Sequence, residues 1–304
     1  MTIQTQTKLP AVTTLAAWFG SDRMIAEHIG DLLKGCSWIG IPFAGGMSAL
    51  LHLEARTMAV NDLHRHVMNV GLVVADQEMK DELVRRLDAT LFHLDELAVA
   101  QRECLRREAD PAYANSGSER SLLNRSGRID WAVDYFVCSW MARNGTAGTK
   151  GEFNTGLSVR WEAGGGDSAV RFRNATESLH QWHQVMRRCT FTTDDAFDFL
   201  AKCKDRDGHG LYVDPPFPGP GDGYKFNSGK TAAEQRTWHT RLRDALVGFR
   251  VTRVCCRYYR HPLVEELYPE GPWTWHRLKG RTQTNSPVEE VLLVNAPRAE
   301  AELF

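Results

Sequence analysis

Apolar positions change spacing along the chain. Between Trp18 and Lys34, Met24, Ile25, His28, Ile29, Leu32 and Leu33 recur at helical spacing, and Gly35 follows as a helix end. Ser37 to Pro42 then reads as a short strand that runs into Phe43-Ala44-Gly45-Gly46. A second apolar helix is expected from Met47 to about Ala55, and a strand from Thr57 to Val60 ends on Asn61-Asp62. Strand, Gly-rich turn, helix, and a strand closed by a carboxylate make one βαβ unit.

Residues 76 to about 109 read as mostly helical. From Asp110 to about Asn174, Ser, Gly, Asn and Arg dominate. Breaks at Ser116-Gly117-Ser118, Asn144-Gly145 and Gly164-Gly165-Gly166 separate aromatic pieces such as Trp131 to Trp140, and a loop-rich insert is expected. Periodicity resumes near Leu179. A strand at Cys189 to Thr192, a helix from Asp195 to Lys204, and a strand Gly210 to Val213 lead into Asp214-Pro215-Pro216-Phe217. After a Gly/Pro-rich loop from Pro218 to Gly229 come a helix at Ala232 to Leu246 and strands at Arg250 to Arg257 and Val288 to Asn295. The fold class expected is α/β, a doubly wound Rossmann-like sheet formed by residues 1–75 and 186–304, interrupted by an inserted domain at 76–185.

Composition adds little to that frame. With 304 residues, 42% hydrophobic and 25% charged, the chain has ordinary globular proportions. It holds no internal repeat and no apolar run near the length of a membrane span. Met1 to Pro10 is polar and unlike a signal peptide, so a cytoplasmic protein without a membrane partner is expected. The formal charge of -1 announces no nucleic-acid partner, so a basic surface must be local. Seven scattered cysteines without a C-x-x-C unit read as free buried thiols, with Cys255-Cys256 in a buried strand. His64 and His66 lack further ligands at a useful spacing, Asp205, Asp207 and His209 suggest a polar turn, and no metal is expected.

Candidate chemistry centres on Leu211-Tyr212-Val213-Asp214-Pro215-Pro216-Phe217. Two prolines at the end of an apolar strand stop the hydrogen-bond ladder and hold the chain extended. Asp214 is thereby directed out of the carboxyl edge, where open α/β sheets bind ligands. An adenine amino group is a weak nucleophile because its lone pair is delocalised into the ring. The Asp214 carboxylate and the Pro215 carbonyl could hold both amino hydrogens and localise that lone pair, and Phe217 could stack on the base. The competing structural reading is an Asp-Pro-Pro turn leaving a core strand. A second signal is Pro42-Phe43-Ala44-Gly45-Gly46 with Asp62: glycines allow close approach to a nucleoside, and the carboxylate can accept from ribose hydroxyls. No Lys-Ser/Thr follows the glycines, which favours a ligand without phosphates.

In this order the motifs resemble DNA adenine methyltransferases of the Dam-like group. That family carries Lys-Trp-x-Gly-Gly-Lys, Pro-Phe-x-Gly-x-Gly, an Asp-x-Asn segment, an inserted target-recognition domain and Asp-Pro-Pro-Tyr. This chain has Trp18-Phe19-Gly20-Ser21-Asp22, Pro42-Phe43-Ala44-Gly45-Gly46, Asn61-Asp62-Leu63, a long insert and Asp214-Pro215-Pro216-Phe217, and Pro287 to Asn295 is similar to the closing strand. The resemblance covers both ends of the chain and not the insert. It implies S-adenosyl-L-methionine as cofactor, with Trp18 packed against it, Asp62 on its ribose, and a residue near Asp194 or Asp195 beside its adenine. Asp214 would lie between cofactor and a base flipped from double-stranded DNA. The chain departs from the pattern at Ala17 and Asp22, where the family has lysines, at Met47 in place of the last turn glycine, and at Phe217 in place of Tyr. Arg23 is the alternative cation for the cofactor carboxylate, and Met47 is expected to narrow the pocket.

Within the insert, Arg120, Arg125, Arg128, Arg143, Lys150, Arg160, Arg171 and Arg173 lie among Gly, Ser and Asn, with Tyr135, Phe136, Trp140, Phe153 and Trp161 interleaved. Such a mixture suits phosphates and backbone approach to a duplex, or equally a solvated loop surface over a small aromatic core. Tyr224 and Lys225 are candidates to close over the base or a phosphate. The sequence leads to a monomeric adenine-specific DNA methyltransferase, with a partner nuclease left open. The alternatives are an RNA adenine or DNA cytosine-N4 methyltransferase, and a DNA-binding homologue that has lost catalysis.

Overall fold

The protein is described from a computed structural model over residues 9–110, 124–143, 146–159, 167–219, 223–281 and 287–295. A seven-stranded sheet has the order β3-β2-β1-β4-β5-β7-β6, with β1 Trp38–Ile41, β2 Thr57–Asn61, β3 Cys189–Thr192, β4 His209–Val213, β5 Arg253–Tyr259, β6 Trp273–Arg281 and β7 Pro287–Asn295. Strands β1 to β5 are parallel, and β7 runs antiparallel to both β5 and β6. The fold is α/β with a mixed, mostly parallel sheet, compatible with the Rossmann-like expectation.

Side-chain alternation divides the core between the sheet's two faces. Tyr212, Cys255 and Leu292 join one buried cluster, whereas Leu211, Val213, Cys256 and Leu293 join the other. Over the first face pack α2 Arg65–Ala75, α3 Gln77–Ala89, α4 Leu94–Ala109, α5 Arg125–Met141 and α6 Ser168–Met186. Over the second lie α7 Ala196–Lys202, α8 Ala232–Val247 and α9 Pro262–Leu267, whereas α1 Ala26–Leu32 buries Ile29 in the first cluster. The cysteines are free, and five of the seven are buried.

Several elements differ from expectation. The helix expected from Trp18 is confined to Ala26–Leu32, and Trp18 instead forms an isolated bridge with Ala147. The helix expected from Met47 to Ala55 is a single 3-10 segment, Ser48–His52. The insert is not loop-rich over its described residues: α5 is 17 residues long and α6 is 19. In α5, Trp131, Ala132, Tyr135, Phe136, Ser139 and Trp140 form a buried helical stripe that the flanking glycines had obscured. Helices of residues 76–185 bury Leu83, Leu97, Phe136 and Phe172 in the same cluster as Ile39 and Met58 of the sheet, rather than in a core of their own. Strand β6 lies outside the expected elements, because its apolar positions pass from Trp273 and Trp275 to Leu278 across His276-Arg277 and so break the two-residue alternation that marks a strand.

Among the described residues no helix is long and apolar enough to cross a membrane.

Candidate functional site

The sheet reverses its winding between β1 and β4, and ligands bind at such a point outside the carboxyl ends of the strands. Each parallel strand there delivers one expected residue: β1 runs into Pro42, β2 into Asp62, β3 toward Asp195 and β4 into Asp214. One cavity is lined by Trp18, Gly20, Asp22, Pro42 to Gly46, Asp62, Asp195, Asp214 and Pro216. Asn61 knits three strand ends together. Its Nδ2 donates to the Pro42 carbonyl at 3.0 Å and the Asp194 carbonyl at 3.1 Å, while its Oδ1 accepts from Asp194 N–H and Thr192 Oγ1, each at 2.8 Å.

The carboxylates of the cavity are fixed by local backbone. Asp62 Oδ2 accepts from Gly45 N–H and Oδ1 from His64 N–H, both at 2.8 Å, and each oxygen keeps a lone pair for a ligand. Asp195 caps α7 by accepting from Phe197 N–H at 2.9 Å. Asp194 is instead paired with Lys202 at 2.7 Å, so of the two candidates only Asp195 lines the cavity. Gly45 and Gly46 serve a different neighbour from the one expected. A Cβ on Gly45 would meet Trp18 Nε1 at 2.9 Å and one on Gly46 would meet Trp18 Cβ at 2.7 Å, so these glycines admit Trp18 against the turn.

Met47 has φ 64°, the left-handed conformation that a glycine adopts without strain. Its side chain is buried in the core beneath the turn and does not line the cavity, which corrects the expected narrowing. Arg23 is exposed and also lies off the cavity. Asp22 is buried, and its Oδ2 accepts from the Tyr212 hydroxyl at 3.1 Å. Burial raises the Asp22 carboxyl above its ordinary range, opposed by Arg257 and the Tyr212 hydrogen bond.

Phe217 requires the main correction. In the extended run after β4, Asp214 and Pro216 point into the cavity while Pro215 and Phe217 turn to the core, by the two-residue alternation of an extended chain. Phe217 is 3% exposed, with Tyr259 edge-on at 4.6 Å between centroids, so it presents no open face to a base. Open aromatic surface comes from other residues. Phe43 and Trp238 line the cavity with centroids 6.0 Å apart, and Phe226, 41% exposed, stands at its border. Tyr224 also lines it and packs edge-on against Phe19, which itself stays outside the lining.

Sequence reasoning missed two buried charged networks. Arg257 on β5 donates to Asp214 Oδ2 at 3.0 Å, to Glu290 Oε2 at 2.8 and 3.1 Å, and to the Gly20 carbonyl at 2.8 Å. Burial pushes the Asp214 carboxyl up to about 7, against the lowering pull of Arg257 and with Asp22 adding to the rise. A signal was available: Arg257 and Glu290 interrupt apolar strands, and a buried charge requires a partner. The second network lies under the cavity. Glu152, 3% exposed, accepts from His64 Nε2 at 2.8 Å, Gly148 N–H at 2.9 Å and Lys225 Nζ at 2.9 Å. No spacing rule joins these residues, which come from three distant segments.

Those contacts redraw the expected nucleic-acid surface. Lys225 pairs with Glu108 as well as Glu152 and straps the 223–227 loop to the helical layer, so its charge is compensated within the chain. Arg125 pairs with Asp76 at 2.6 Å and Glu78 at 3.0 Å. Arg128 is half-buried and donates to Asn69 at 3.3 Å, and burial lowers its pKa from the usual arginine value. Arg143 and Lys150 are exposed, and Arg160 lies outside the described residues. His66 Nδ1 accepts from Trp131 Nε1 at 2.7 Å and its Nε2 faces Glu108, which accounts for both ring nitrogens.

The cavity as a whole is acidic and aromatic. Asp22, Asp62, Asp195 and Asp214 line it together with Trp18, Phe43, Tyr224, Phe226 and Trp238, and no Lys or Arg is among its described lining residues. Such a wall disfavours phosphate and suits a nucleoside that carries a cationic group. Compared with known proteins, the chain matches no protein-family model and no curated protein.

Proposed function

We propose that this protein is an S-adenosyl-L-methionine-dependent methyltransferase acting on the exocyclic N6 amino group of adenine in double-stranded DNA. The observation that carries the reading is the acidic, aromatic cavity at the sheet's switch point, with no Lys or Arg among its described lining residues, which gathers the Pro42 to Gly46 turn, Asp62, Asp195 and Asp214 from four strand ends around Trp18. The residues fit such a cofactor: Asp62 has acceptor capacity left for ribose hydroxyls, aromatic walls suit an adenine ring, and the carboxylates suit a sulfonium or ammonium charge. When bound, S-adenosylmethionine would supply an electrophilic methyl group. Asp214 and the Pro215 carbonyl would each accept a hydrogen bond from the target amino group and hold its lone pair out of the ring plane. Phe226 takes the stacking role first given to Phe217.

The test is transfer of tritiated methyl from S-adenosylmethionine to plasmid DNA followed by nucleoside analysis, with a structured RNA as competitor. N6-methyladenine in DNA is expected. Label confined to RNA or to cytosine would overturn the substrate. A second reading, a DNA-binding protein without catalysis, draws on buried Asp22 at the family's lysine position and on Arg23 lying off the cavity. Calorimetry with S-adenosylmethionine separates the two, and absence of binding supports the second.

A further inference from the structure

We infer that Arg257 is a positioning residue for Asp214: by holding Oδ2 it leaves Oδ1 as the oxygen presented to the substrate amino group. The inference rests on the methyl-transfer reading for its purpose, although the contact itself does not. Arg257 is 2% exposed and Glu290 6%. Glu290 alone would balance the guanidinium, yet Nη1 turns away from it to bridge Asp214 Oδ2 at 3.0 Å and the Gly20 carbonyl at 2.8 Å. One side chain therefore joins the catalytic strand end to the segment Trp18 to Asp22 on the cofactor side of the cavity. No described residue donates a hydrogen bond to Asp214 Oδ1, and the Asp214 side chain is 20% exposed toward the cavity. Both ends of the clamp stand on central strands, β5 and β7, where Glu290 pairs with Tyr259 and lies diagonally from Arg257. A rigid platform is what a carboxylate needs if it is to meet an amino hydrogen in one orientation.

The electrostatics point the same way. Asp214 is faced by Asp22 from the N-terminal segment, Tyr212 on its own strand, Tyr224 from the loop, Arg257, Tyr259 and Cys255 on β5, and Glu290 on β7. Arg257 is the sole cation in that set. Three carboxylates share it, so removing it leaves Asp214 protonated to higher pH, and a protonated oxygen loses acceptor capacity.

The experiment compares the full-length wild-type chain with Glu290→Gln and with Arg257→Met/Glu290→Gln; the double variant spares the fold a buried unpaired carboxylate. Aspartate 13Cγ resonances are titrated by NMR, with Asp214→Asn assigning the signal, and methyl transfer is profiled against pH at saturating S-adenosylmethionine. In the double variant the Asp214 midpoint is expected to rise by at least one pH unit. The acid limb of kcat should rise with it, lowering kcat at pH 6.5 about eightfold for a one-unit rise from about 7, while S-adenosylmethionine affinity changes less than threefold. Glu290→Gln alone, which frees Arg257 for Asp214, should not raise the midpoint. A double-variant midpoint within 0.3 units of wild type would overturn the inference, as would a kcat profile that stays in place while the midpoint moves. If the wild-type chain transfers no methyl group, the functional reading fails, and the carboxyl titration, which needs no substrate, still decides whether Arg257 governs Asp214.

Discussion

Replacing Glu152 by Gln tests whether the buried network under the cavity holds the loop 223–227 and the helical layer to the sheet. Burial opposes a charge on Glu152, yet His64, Lys225 and the Gly148 N–H outweigh it and hold the carboxyl down at about 2, against an ordinary 4.5. At 1.36 kcal/mol per pH unit, that difference corresponds to ~3 kcal/mol in favour of the ionised, paired state. Gln keeps the volume and one acceptor oxygen but not the charge, so Glu152→Gln should lose about 2–3 kcal/mol at pH 7.5, a fall in Tm of roughly 3–5 °C for a chain of 304 residues. A depressed carboxyl stabilises the fold above its unfolded value and ceases to do so as pH falls through its folded value. The gap between wild type and variant should therefore be full above pH 5, narrow below 4.5, and close near 2. Urea unfolding followed by tryptophan fluorescence across that range measures it. A gap under 0.5 kcal/mol at pH 7.5, or one that does not narrow between pH 5 and 2.5, would refute the network's role.

Four further outcomes are expected. Asp214→Ala should abolish methyl transfer yet shift the unfolding midpoint by less than ~1 kcal/mol, because Arg257 retains Glu290 and the Gly20 carbonyl; retained turnover, read by tritium incorporation, would remove Asp214 from catalysis. Burial holds both His66 and His239 at about 4, below the ordinary 6.5, so each stabilises the fold above pH 6.5 and stops doing so as pH falls toward 4. Tm measured at pH 7 and pH 5 should show that loss. Met47→Gly should relieve about 1 kcal/mol of left-handed strain but forfeit a larger burial term, for a net destabilisation of about 2 kcal/mol by denaturant titration; a stabilised variant would mean the side chain packs poorly. Phe226→Ala should raise KM for DNA at least fivefold with S-adenosylmethionine affinity unchanged, whereas Phe217→Leu should act chiefly on stability, which steady-state kinetics and thermal melts distinguish.

Local features were legible wherever one element carried its own signal. Val213-Asp214-Pro215-Pro216 declared a strand end, the Pro42 to Gly46 turn declared its partner, and Asp62, next after β2, and Asp195, three residues after β3, reach the cavity from the ends of parallel strands. Strand-helix alternation was enough to read an α/β sheet, since period 2 and period 3.6 are properties of neighbouring residues. What tertiary structure alone decided were matters of long-range pairing and side-chain direction. It set Phe217 in the core and Pro216 on the cavity, turned Gly45 and Gly46 toward Trp18, and matched Lys225 and Arg125 with carboxylates distant in sequence. It also brought Arg257 of β5 onto Asp214 of β4, a contact across 43 residues of sequence that depends on the register of two strands. A charge's partner and a ring's open face are fixed by what folds against them, and that information is spread over the whole chain.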